Sequence, residues 1–310
     1  MKIAFVFPGQ GSQSVGMLDA WAENVAVRQS MERASEALGQ DLSALIAQGP
    51  AEELNLTTNT QPVMLAAAVA TYAAWRAEGG AEPAVMAGHS LGEYSALTAA
   101  GALTLEDAVR IVRVRADAMQ AAVPVGTGAM AAILGLSDDD VRDACAQAAQ
   151  GEVVEAVNFN APAQVVIAGH KAAVERACEI AKGKGAKRAL LLPVSAPFHS
   201  SLLKPAADVL KSALDAVQVN TPTVPVINNV DVASVTDAAA IRDALVRQAW
   251  HPVRWVETLQ AMKAQGVTHV IECGPGKVLA GLTKRIDKDL VGLAITDPAS
   301  MQAALHQLQG

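Results

Sequence analysis

The stretch VMAGHSLGEYSAL, residues 85–97, constrains the fold more than any other. A short apolar run with the character of a strand meets Gly88-His89-Ser90-Leu91-Gly92, and a helix-forming segment follows. Gly-x-Ser-x-Gly in that setting demands a sharp strand-to-helix turn in which the serine is strained and projects from the tip. Glycines two residues to either side let neighbouring backbone pass without a side-chain clash, and the following helix N-terminus favours negative charge near Ser90.

The segments around this turn alternate in type. Residues 2–7 read as a strand, 20–38 and 63–75 as helices, and 84–87 as the strand before the turn. That rhythm predicts a parallel sheet covered by helices on both faces. Residues 104–122 form a helix opened by a Thr-x-x-Asp box, Thr104 with Asp107, and Pro124 closes it. Beyond Gly126 the order becomes strand 129–134, helix 137–149, strands 153–159 and 164–168, helix 172–182 and strand 188–194. This β-α-β-β-α-β order is ferredoxin-like. It predicts a small inserted domain at 125–196 within a catalytic domain made of 1–124 and 197–310. In the returning part, 202–217, 241–249 and 297–309 read as helices, and 224–228 and 267–272 as strands.

Composition narrows the function. The chain has 310 residues, 51% of them hydrophobic and only 18% charged, with a net charge of −7. An acidic surface disfavours nonspecific nucleic-acid binding, which needs a broad positive field. Three widely spaced cysteines, Cys145, Cys178 and Cys273, indicate neither a disulfide framework nor a zinc site. The apolar run at 3–7 is too short for a signal-peptide core, and the run at 63–75 is too short to span a membrane. A cytoplasmic protein that binds neither membrane nor metal is expected.

A serine nucleophile needs a base. Among six histidines, His89 is fixed beside Ser90 and reads as a packing residue, while His170 and His306 read as surface residues. His251 and His269 are less easily dismissed. His199 lies on a proline-bearing loop where the chain re-enters the large domain, a good place for a base facing a cleft. No acidic third member stands out. On the helix from Thr104, Arg115 falls within the apolar stripe of Ala108, Ile111, Val112, Ala118 and Met119. Its guanidinium is therefore snorkelling, salt-bridged or waiting for an anion. A planar fork that grips a carboxylate bidentately suits a cleft with an active serine. The loop FPGQGSQ at 7–13 begins like a nucleotide site, but Ser14 replaces the third glycine of a dinucleotide fingerprint and no Gly-Lys-Ser/Thr follows.

Taken together, FPGQGSQ, TQPVMLA at 60, GHSLGEYSAL at 88, the Arg115 helix, NFNAPAQVVIAG at 158, VSAPFHSSLL at 194 and ECGPGKVL at 272 resemble the acyltransferase family of bacterial fatty-acid synthesis, in particular its malonyl-CoA:acyl carrier protein transacylases. The likeness runs through the whole chain in order. It implies an α/β-hydrolase-like core with a ferredoxin-like insert. By the same resemblance Ser90 is the acylated nucleophile, His199 its base, and Arg115 the holder of the malonyl carboxylate. Gln248 matches the residue whose main-chain carbonyl orients the histidine. Gln10 and Leu91 match the oxyanion-hole amides, and Gln61 and Asn160 match cleft-lining residues.

The resemblance further implies malonyl-CoA and coenzyme A as substrate and product, no permanently bound cofactor, and acyl carrier protein as partner to a monomeric enzyme. An acidic carrier calls for a basic dock, for which Lys182, Lys184, Lys187, Arg188, Lys284 and Arg285 are candidates. Two other readings stand beside this one. The chain could serve another carrier, as in a malonate decarboxylase or polyketide system, or be a noncatalytic assembly subunit.

Overall fold

The computed structural model describes residues 1–194 and 196–309; Ser195, inside the expected insert, and Gly310 lie outside the described residues. A five-stranded sheet holds β1 (Ile3–Phe7), β2 (Val85–Gly88), β7 (Val226–Ile227), β8 (His269–Cys273) and β9 (Val291–Ile295) in the order β7-β2-β1-β8-β9. Every pairing in it is parallel. Strand β1, IAFVF, is buried at all five positions, as a strand covered on both faces must be.

The second sheet has four strands: β3 (Gly128–Leu134), β4 (Val154–Ala161), β5 (Gln164–His170) and β6 (Arg188–Leu191). Its order is β4-β5-β3-β6 and its pairings are antiparallel. With α7 (Asp138–Ala149) and α8 (Lys171–Gly183) this is the ferredoxin-like arrangement read from the sequence. Strand alternation decides its two faces. Ala131, Ile133, Val165 and Ile167 pack with α7 and α8, while Met130, Val166 and Ala168 cluster with Val157, Leu192 and Phe198. That second face lines, through Met130, Val166, Leu192 and Phe198, a cavity that also holds Ser90.

Helix α4 (Thr57–Ala77) packs against α1 (Val25–Leu38), α5 (Gly92–Ala99) and α6 (Leu105–Ala121). It begins six residues before the expected start at 63 and runs through Pro62. Proline removes one hydrogen bond near the start of the helix, and burial on nearly every side outweighs that loss. The expected helix 20–38 divides into a 3₁₀ turn, Asp19–Trp21, and α1, because Asn24 caps α1 by accepting from the Val27 amide. The expected strands 188–194 and 224–228 shorten to β6 and β7. Helix α6 opens on Thr104 as anticipated, its hydroxyl accepting from the Asp107 amide at 3.1 Å.

Candidate active site

The end of β2 and the start of α5 meet in the turn that Gly-x-Ser-x-Gly demands. Ser90 adopts φ 52°, a left-handed conformation that costs a serine roughly 1–3 kcal/mol. A Cβ on Gly88 would sit 1.8 Å from the Gly92 carbonyl, and one on Gly92 would sit 2.0 Å from the Phe7 carbonyl oxygen. Both glycines are thus required by backbone contact. Asn229, just beyond β7, clamps the turn: its Oδ1 accepts from the Ser90 amide at 2.8 Å and its Nδ2 donates to the Gly88 carbonyl at 2.7 Å.

The Ser90 hydroxyl lies 2.7 Å from His199 Nε2. His199 Nδ1 lies 2.8 Å from the main-chain carbonyl of Gln248, at the C-terminus of α10 (Ala238–Gln248). A carbonyl only accepts, so Nδ1 carries the hydrogen and Nε2 is left as the acceptor facing Ser90. His199 is 3% exposed. Burial first, and then the nearby Arg115 charge, push its pKa down to about 3, so the imidazole is neutral and able to take a proton.

Arg115 is 2% exposed on α6, within the predicted stripe. Snorkelling is thereby excluded. Its Nη1 donates to Gln61 Oε1 at 2.8 Å, and its Nη2 donates to Ser90 Oγ at 3.1 Å and Gln248 Oε1 at 3.0 Å. Its Nε has no partner among the described residues. A guanidinium so placed contacts the Ser90 hydroxyl and holds a fork suited to an anion beside it.

Gln10, Leu91, Gln61 and Asn160 line the same cavity of about 200 Å³ as Ser90, His199 and Arg115. A Cβ on Gly9 would stand 2.7 Å from the His89 carbonyl oxygen, so glycine there lets the FPGQGSQ loop lie against the turn. The Ser90 amide is already spent on Asn229. The Leu91 amide, one residue before α5, has no hydrogen-bond partner among the described residues. Asn160 Oδ1 accepts from His89 Nε2 at 2.7 Å, and His89 packs edge-on against Trp255. His89 therefore lines the cavity without engaging Ser90. His170 bonds the Val153 amide and His251 the Arg247 carbonyl.

The matching family model is the acyl transferase domain, over residues 4–301. The chain belongs to this family. It is 59% identical over 306 residues to the malonyl CoA-acyl carrier protein transacylase of Escherichia coli K12, covering 98% of this chain and 99% of that protein. The crystal structure of an acyl-carrier-protein S-malonyltransferase from Burkholderia pseudomallei superposes with a TM-score of 0.97 at 69% identity, covering 99% of this chain and all of the other. A malonyl-transacylase in complex with its type II PKS acyl-carrier protein gives 0.98 at 52% identity, covering 99% and 100%. The chain is an acyltransferase, with the two-sheet α/β fold of its relatives.

Two residues that the sequence reading left out complete the acyltransferase site. Glu93 is 1% exposed, and its Oε2 accepts from Gln248 Nε2 at 2.8 Å and from the Asn229 amide at 2.9 Å. Burial lifts its carboxyl to about 7. A single acid in the otherwise neutral helix GEYSALTA, three residues after the serine, was the available signal. Asn229 had none, being one asparagine among several in a loop.

Of the basic candidates, Lys182 and Lys184 are paired with Glu179 and Asp143. Lys187, Arg188 and Lys284 are exposed and have no ion-pair partner among the described residues. The sheet register places Arg188 beside Leu134 and Leu134 beside Gln164, whose Oε1 accepts from Arg285 on α12 (Val278–Ile286). Arg188 and Arg285, from distant parts of the chain, thus lie at the same end of the small sheet.

Proposed function

We propose that this enzyme transfers the malonyl group from malonyl-CoA to the phosphopantetheine thiol of acyl carrier protein in fatty-acid synthesis, through a malonyl ester on Ser90. The observation that carries the reading is the Ser90 hydroxyl held between a neutral His199 Nε2 and the Arg115 guanidinium.

In the first half-reaction His199 Nε2 takes the Ser90 proton as Oγ attacks the thioester carbonyl. The C–S bond breaks, His199 returns the proton to the departing sulfur, and coenzyme A leaves. In the second half-reaction the carrier thiol gives its proton to His199 and attacks the ester, the C–Oγ bond breaks, and Ser90 is reprotonated. The Gln248 carbonyl takes the place of an acidic third member by holding the tautomer and stabilising the transient imidazolium. The Gln10 and Leu91 amides receive each tetrahedral oxyanion, an interaction worth ~3 kcal/mol per donor. Arg115 receives the malonyl carboxylate, its Nη1 turning to it from Gln61 while Nη2 stays held by Gln248.

The site needs no residue from a second copy, and the enzyme is taken to act as a monomer. Lys187, Arg188, Lys284 and Arg285 form the basic dock for the acidic carrier. A burst of coenzyme A equal to the enzyme, released from malonyl-CoA before carrier is added, tests the two-step route. Thiol release that begins only with carrier would overturn it.

A further inference from the structure

Gln248 has two independent jobs in the site. Its peptide carbonyl holds the base, and its side-chain amide lies among Arg115, Glu93, Ser90 and Asn229. The amide orientation is set by what surrounds it. Nε2 faces oxygens only: Glu93 Oε2 at 2.8 Å, the Ser90 carbonyl at 2.9 Å and Asn229 Oδ1 at 3.4 Å. Oε1 faces Arg115 Nη2 at 3.0 Å. A flipped amide would set a donor against the guanidinium and an oxygen against three acceptors, so only one orientation is satisfied. Among its acceptors Glu93 alone is a carboxylate, and it is buried with Gln248 and Arg115 at 1%, 0% and 2% exposure. An acceptor lost from a fully buried network leaves its donor without a partner, which costs more than the bond itself.

Resting on the malonyl-transfer reading, we propose that Glu93 is a positioning residue that fixes the Gln248 amide and, through it, the Arg115 fork that selects malonyl over uncharged acyl groups. The Glu93 carboxyl group reaches Arg115 through Gln248 and has no hydrogen bond to the Ser90 hydroxyl. Its contribution is one of aim. With the acceptor at 93 gone, Nε2 keeps only the Ser90 carbonyl and the more distant Asn229 Oδ1, so the amide is held less firmly and the oxygen that keeps Arg115 Nη2 beside Ser90 is no longer fixed. The acetyl group makes no use of that aim.

The test is the ratio of malonyl to acetyl loading from the two CoA thioesters. Glu93→Met removes the acceptor at similar volume, and the ratio is expected to fall about tenfold, the scale of a hydrogen bond to a charged group. Glu93→Gln keeps a carbonyl oxygen where Oε2 stands and is expected to retain most of the preference. Gln248→Met keeps the peptide carbonyl that orients His199 and should lower the ratio as Glu93→Met does, while the double variant should be no worse than either alone. Equal loss of both acyl groups in Glu93→Met, or single effects that multiply in the double variant, would overturn the proposal. If Glu93→Met does not fold, an unchanged ratio in Gln248→Met overturns it alone. Absence of any malonyl-enzyme in the parent would instead refute the malonyl-transfer reading.

Discussion

Ser90 Oγ and His199 Nε2 stand 2.7 Å apart, and both residues hold left-handed backbone, at φ 52° and 64°. Neither is a glycine, so each conformation is imposed by its surroundings: the clamp of Asn229 on one side and, on the other, the turn in which the Ser200 amide and hydroxyl both donate to the Pro197 carbonyl. Strain at both partners of one hydrogen bond marks the pair as the part of the site that the fold is built to present.

The His199 environment predicts the pH dependence of loading. Its folded pKa is pushed down to about 3, so the base stays neutral as pH falls through the ordinary histidine value of 6.5. Single-turnover malonyl loading should stay level between about pH 5 and 8. A rate that halves near pH 6.5 would mean that the working imidazole is exposed to solvent.

Arg115→Ala should remove the malonyl preference. Loss of a buried charged hydrogen-bonding partner costs about 2–5 kcal/mol, so loading from malonyl-CoA should fall by roughly 30-fold or more relative to acetyl-CoA. A preserved preference would mean that the carboxylate is read by another group.

The basic end of the small sheet predicts a separation of the two half-reactions. Reversing Arg188 and Lys284 to glutamate should raise the carrier-protein KM about tenfold while sparing malonyl loading, because exposed charges steer partners more than they hold small substrates. An unchanged KM would place the dock elsewhere.

How much of this was legible in the sequence depended on how local each signal was. The turn at Ser90 was readable because five consecutive residues carry it, and the capped helix placed Arg115 in an apolar stripe three turns from its cap. The role of Gln248 came through family resemblance alone, since a main-chain carbonyl leaves no mark on residue type. Glu93 lay inside the quoted motif and went unassigned, because its partners Gln248 and Asn229 are more than a hundred residues away. Basic residues 182 and 184 looked as available as 187 and 188; only folding revealed Glu179 and Asp143 beside the first two.

Glu272, at the end of β8, carries a prediction about stability. It is fully buried, its Oε2 accepts from the Ala280 amide in the first turn of α12, and burial lifts its carboxyl from 4.5 to about 7. A raised carboxyl binds its proton more tightly in the folded state. Its stabilisation is therefore complete below the unfolded value and is lost as pH rises through the folded one. Glu272→Gln cannot ionise, so its Tm should gain on the parent's as pH rises from 4.5 to about 7. A difference in Tm that stays constant with pH would refute the assignment.

The central claim is a malonyl ester on Ser90, and intact-mass measurement after mixing with malonyl-CoA, without carrier protein, tests it most directly. The parent should gain one malonyl group, and Ser90→Ala should gain none. An unmodified parent, or a Ser90→Ala variant that carries the same adduct, would contradict the account.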